Sequence, residues 1–107
     1  MANFRRHIKK EVGTAAETIM TANSKDCVIG FRICNITSSS ITVDVTLTTS
    51  GSDTIHLQKN TPIDVGGSLE VSGINKLVFV DGDVVKVKSS ASASADVLVS
   101  VVDAISS

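Results

Sequence analysis

Tryptophan and tyrosine are absent from this chain of 107 residues, and phenylalanine occurs only three times. Nucleic-acid sites on β surfaces stack bases on aromatic side chains interleaved with basic ones. The sequence has almost no such platform to offer, and no nucleic-acid partner is expected. Without aromatic anchors, the core must be made of Val, Ile, Leu and Ala, which bury less area per residue. Extra burial between subunits is then the natural supplement. The two cysteines and two histidines form no CxxC or HxxxH spacing for zinc. On one flat strand Cys27 and Cys34 would lie roughly 23 Å apart on opposite faces. A disulfide needs Cα atoms within about 7 Å, so both read as reduced thiols acting as small apolar residues. No run approaches the ~20 apolar residues of a membrane span. The opening "MANFRRHIKKEVG" does not continue into the apolar region of a secretion signal. These absences predict a soluble chain made in the cytoplasm, with no membrane partner and no cofactor.

What is present is one domain's worth of sequence, enough to bury a core without metal or disulfide. The net charge is −1, but it is unevenly spread. Arg5, Arg6, Lys9 and Lys10 stand in the first ten residues with no acid, so that segment carries +4 and the remainder −5. A basic arm on an acidic body is one pattern of a segment that docks on a neighbour. The sequence therefore divides into an N-terminal arm over 1–16 and a β domain over 17–107.

Period two dominates the domain. "ITVDVTLT" puts Ile41, Val43, Val45 and Leu47 on one face and Thr42, Asp44, Thr46 and Thr48 on the other, the alternation of a half-buried strand. "TSGSD" and then "TIHLQ" complete a hairpin with a loop of about five residues, Ile55 and Leu57 facing inward. In "CVIGFRICNI" the residues Ile29, Phe31 and Ile33 share one face, and Gly30 and Arg32 share the other, which must reach solvent or a partner at Arg32. "GGSLEVSG", "KLVFV", "VVKVK" and "ADVLVSVVDAI" supply further strands, and a strand is also favoured over Glu17 to Thr21. Phe4, Arg6 and Ile8 suit a strand as well as a helical turn. Pro62 reads as the start of a connection and "SSASASA" as a loop. About eight short strands divided by turn signals predict an all-β fold, an antiparallel β-sandwich of jelly-roll type.

The chemistry-bearing candidates are few. Asp81-Gly82-Asp83 could be a carboxylate pair or a calcium loop. Its flanks, Val80 and Val84, supply only backbone carbonyls, whereas an EF-hand needs alternating ligands and a closing glutamate. Asp-Gly is a strong hairpin signal, because glycine takes positive φ freely. The remaining acids are scattered and read as solvated. Gly66-Gly67 lacks the lysine of a phosphate loop. No catalytic residue and no metal ligand is assigned, and a non-enzyme is expected.

In order, the chain shows "MANFRRHIKKEVGTAAETIMTAN", "VIGFRICNITSSSITVDVTLTTSG", "HLQKNTPIDVGGSLEV" and "NKLVFVDGDVVKVKSSASASADVLVSVVDAI". This succession resembles small virion proteins of tailed bacteriophages, particularly those infecting marine cyanobacteria. The resemblance implies a non-enzymatic structural subunit, present in many copies as capsid decoration or cement, or as a neck or tail accessory protein. It also implies partners among other virion proteins and copies of itself, with a trimer favoured and the virion as location. The alternative is a host receptor- or glycan-binding module of a tail fibre or baseplate. The candidate docking residues are Phe4, Arg5, Arg6, Lys9 and Lys10, of which the four basic side chains could be held to acidic groups by charge-assisted hydrogen bonds. The candidate interface strand is Val97, Leu98, Val99, Val101 and Val102. On this reading, deleting residues 1–10 abolishes docking and leaves the domain folded.

Overall fold

The computed structural model describes residues 3–22, 26–71 and 77–103. Among them are nine strands and no helix: β1 (Asn3–Val12), β2 (Glu17–Thr21), β3 (Asp26–Asn35), β4 (Ile41–Thr48), β5 (Thr54–Ile63), β6 (Ser68–Glu70), β7 (Leu77–Phe79), β8 (Val84–Ser89) and β9 (Ala95–Asp103). β-branched residues, which fit a pleated, half-buried surface, set the pattern. In β4, β8 and β9 alternate positions bury Ile41, Val43, Val45, Val85, Val87, Val97, Val99 and Val101, and the residues between them face outward. Phe31 and Phe79 are the large side chains in this valine-rich core.

The pairing is nested. β1 pairs with β9, β2 with β8, β3 with β7 and β6, and β4 with β5, all antiparallel. The described chain is thus one long folded-over ribbon whose first strand lies against its last. Two further pairings, β3 with β9 and β4 with β8, roll that ribbon into two sheets. One has the order β1-β9-β3-β6 with β7 also on β3, and the other the order β2-β8-β4-β5. β7 pairs with Asp26–Val28 and β6 with Arg32–Cys34, so the two short strands occupy one position end to end along β3. That makes eight strand positions in two four-position sheets, the double-sheet jelly roll. The sandwich measures 44 × 26 × 21 Å.

Several local readings change in three dimensions. Residues 3–12, expected as an arm outside the domain, are a full strand of the sheet, in register with β9 from Asn3↔Asp103 to Lys9↔Val97. The hairpin β4–β5 closes over residues 49–53, as its turn residues indicate. Ile55, however, is half exposed beside that turn, opposite a half-buried Leu47. Pro62 lies within β5, opposite Thr42, rather than in a connection. β5 is an edge strand, where a missing N–H is tolerated.

The largest change of phase occurs in β3. Its register with β9 shifts between Val28 and Gly30, the mark of a β-bulge. One extra residue inverts the alternation, so Val28 is buried and Ile29 is 57% exposed. For the same reason Cys27 and Cys34 share one face despite their odd spacing. They lie opposite Val102 and Asp96, two residues on the same side of β9. Both are free and half-buried on the outer surface rather than in the core.

Asp81-Gly82-Asp83 is a turn, but it joins β7 and β8, which lie in different sheets, and so makes a corner rather than a hairpin. The Asp83 N–H donates to the Val80 carbonyl at 3.0 Å, and Gly82 takes a φ of 94°. A β-carbon on Gly82 would meet the Ser50 β-carbon at 2.7 Å, so glycine is required twice over. Asp83 is buried, because its carboxylate accepts the Val80 N–H at 2.9 Å and closes the corner. Asp26, at the start of β3, is buried as well. Asp26 thereby departs from the expectation of solvated carboxylates.

Candidate interaction surface

The outer faces of the two sheets differ in chemistry. On the β2-β8-β4-β5 sheet, register brings Asp44 opposite Lys88, and Thr46 opposite both Lys86 and His56. Thr42, Asp44, Asn60, Lys88 and Ser90 line a shallow polar hollow of about 170 Å³ there. The Asn60 N–H, at a left-handed position with φ 49°, donates to Asp44 Oδ1 at 2.6 Å. This surface is one that water solvates well.

The outer face of the β1-β9-β3-β6 sheet is built from rows of cross-strand neighbours. Ile8 lies opposite Leu98, Leu98 opposite Arg32, and Arg32 opposite Glu70. A neighbouring row runs from Arg6 to Ser100 and Gly30. A third runs from Phe4 to Val102, Cys27 and Val78. Ile8 is 59% exposed, Ile29 57%, Val78 56% and Leu98 41%. A groove of about 330 Å³ crosses this face between Arg6, Ile8, Lys10, Arg32, Cys34 and Leu98. Ile29 lines a second hollow with Arg5, Arg6 and Ser100.

Charged groups frame these apolar positions. Arg32 Nε donates to Glu70 Oε1 at 2.9 Å. Asp96 Oδ1 accepts the N–H of Glu11 at 3.0 Å, fixing the irregularity where β1 leaves its register. Glu11 itself takes a φ of 56°.

The residues singled out from sequence divide between two surfaces. Val97, Val99 and Val101 are buried in the core, while Leu98 and Val102 stand on the outer face. Arg6 and Lys10 share that face with Ile8. Lys9 alternates to the other side of β1, where its Nζ lies 3.3 Å from Glu17 Oε1 of β2 and ties the two sheet edges together. Arg5 lies opposite Val101 and is exposed. Phe4 is placed by its register with Val102, and its side chain lies outside the described part. The structure thus does not gather the basic residues into one cluster.

Ile8, Ile29 and Val78 complete the face and were not candidates from sequence, whereas Arg32 was expected to reach solvent or a partner and does stand on it. The signal for Ile29 was available in Gly30, since a lone glycine inside a strand pattern suggests a bulge. Among the described residues, no group of three or more His, Cys, Asp or Glu side chains could hold a metal ion. No helix among them is long and apolar enough to cross a membrane.

No family model, curated protein or solved structure matches the chain.

Proposed function

We propose that this protein is a non-enzymatic structural subunit that assembles through the outer face of its β1-β9-β3-β6 sheet. The observation that carries the reading is the exposed row of Ile8 and Leu98, continued by Ile29 and Val78 and bordered by Arg6, Lys10 and Arg32. Fully burying such an aliphatic side chain contributes about 1.5–3 kcal/mol. At roughly half exposure, each still has about 1 kcal/mol to gain on contact. Apolar groups placed together on one sheet face, with a polar rim, are the composition of an interface core. The opposite sheet offers no comparable surface.

The assembly is proposed to be a virion, of the tailed-bacteriophage type that the sequence resembles, with this subunit as capsid decoration or as a neck or tail accessory. The jelly roll supports that reading as a fold used by viral capsid domains. The same fold also serves lectins and cupins, so the fold alone assigns no function. The face supplies the argument.

Antibodies against the chain are expected to label purified particles of the virus that encodes it, at regular positions. Leu98→Glu, which puts a charge in the centre of the row, is expected to leave the subunit folded but missing from particles. Recovery of the wild-type chain only as free protein, with none on particles, would remove the proposal.

A further inference from the structure

The edges of the two sheets are unequally protected. β2 has five residues and a register shift. β6 and β7 have three residues each. β5 is broken by two irregularities and carries Pro62. Short strands, bulges and prolines are the usual means of blunting an open edge. β1 differs: it runs for ten residues and keeps an unbroken register with β9 from Asn3 to Lys9. Among the described residues no strand pairs with its other side. Alternate residues of an antiparallel edge turn their N–H and C=O groups away from the sheet, a ready template for an added strand.

We infer that β1 receives an extended acidic segment of a partner protein by strand addition. Charge decides the occupant. From Asn3 to Lys10 the strand contains two arginines and two lysines and no acid. A second copy of β1 would bring this basic run against itself, and like charges on facing strands repel. The order of side chains also defines the partner. Arg6, Ile8 and Lys10 stand at every second position on the outer face and are exposed, while Lys9 is already engaged with Glu17. The complementary segment presents an acid, an apolar residue and an acid at alternate positions, with main-chain hydrogen bonds supplying the register. Arg6, Ile8 and Lys10 belong also to the face proposed above for assembly, but the inference rests on the open main-chain edge of β1, which the N-methylated peptides below test apart from that face.

The test uses the isotope-labelled full chain and a blocked peptide, Thr-Glu-Thr-Val-Thr-Glu-Thr, whose symmetry fits either strand direction. Binding is expected to slow hydrogen exchange of amides within residues 3–9. Replacing both glutamates by lysine is expected to weaken binding at least about tenfold. Two further peptides are N-methylated on one or the other alternate set of amides; one is expected to bind and the other not. Arg6→Glu combined with Lys10→Glu, at exposed positions whose fold is checked by circular dichroism, is expected to reverse the preference toward the lysine peptide. Equal binding of both methylated peptides would reduce the interaction to charge alone and overturn the inference. So would absence of binding at millimolar peptide, or protection of β1 that rises with protein concentration in the absence of peptide.

Discussion

Asn35 holds a loop to the sandwich with a single amide. Its Nδ2 donates to the carbonyls of Ser39, Ile63 and Asp64 at 2.8, 3.1 and 3.3 Å. Its Oδ1 accepts from the Thr37 N–H at 2.9 Å and from the Thr37 hydroxyl at 2.8 Å. The residue is 2% exposed, so these groups have little access to water. Asn35→Ala should therefore cost about 3 kcal/mol, through lost bonds and carbonyls left without a donor. Asn35→Asp should cost a similar amount, because a carboxylate keeps the acceptor role but cannot donate. Urea unfolding midpoints for both variants would check this, and a loss below about 1 kcal/mol for either would contradict the role. From sequence, "NITSSS" was legible only as the end of a strand, since two of the three carbonyls it serves lie 28 and 29 residues downstream. "SSASASA" was legible as a loop for the same kind of reason and no further. Inside it Ser94 is buried, hydrogen-bonded to Ser89 and to the Ala91 carbonyl, while the Ser94 N–H reaches Val12 across the fold. By contrast Asp-Gly at 81–82 was readable as a turn, because the positive φ is a local property. That the turn changes sheets was not, because this depends on which strands the flanking segments meet.

At the scale of elements, strand identity followed from alternation wherever alternation was unbroken. β4, β8 and β9 show their inner faces directly in the sequence. β3 does not, because the bulge at residues 28–30 adds one residue and turns Ile29 and Cys27 outward. A one-residue change of phase moves every later side chain to the other face, so a single missed bulge misplaces half a strand. β1 was obscured differently. Its charges suggested a docking arm outside the domain, yet an edge strand whose inward positions are half open can carry Lys9 against Glu17 without burying either. The consequence is testable. Deleting residues 1–10 removes one of the two partners of β9 and should lower the thermal midpoint by more than about 12 °C, the equivalent of roughly 3 kcal/mol. Combining Arg6→Gln, Lys9→Gln and Lys10→Gln removes charge but keeps the strand. It should change stability by less than about 1 kcal/mol, since an exposed ion pair contributes little. Circular dichroism melts of the two proteins separate strand from arm, and a deletion that melts like the full chain would restore the arm.

For the whole molecule, nested pairing makes the fold depend on its two ends at once. The first strand pairs with the last, and the two central pairings join segments far apart in sequence, an arrangement that folds slowly relative to locally paired domains. It also leaves the β1-β9-β3-β6 sheet with one face in the core and the other carrying Ile8, Leu98, Ile29 and Val78, while the second sheet turns threonine and lysine outward. A sandwich with such unlike faces should associate through one of them. Leu98→Glu, on the first face, and Lys86→Glu, on the second, each introduce a carboxylate at an outward position. Neither should alter stability by more than about 0.5 kcal/mol, as for surface substitutions generally. Size-exclusion chromatography with light scattering over a range of concentrations should then show Lys86→Glu keeping the wild-type mass and Leu98→Glu falling to the monomer. A discrete mass for the wild type would indicate a closed ring, and a mass that grows with concentration an open head-to-tail contact. Identical behaviour of the two variants would mean that the apolar row takes no part in self-association, and the asymmetry of the faces would then need a partner other than this chain.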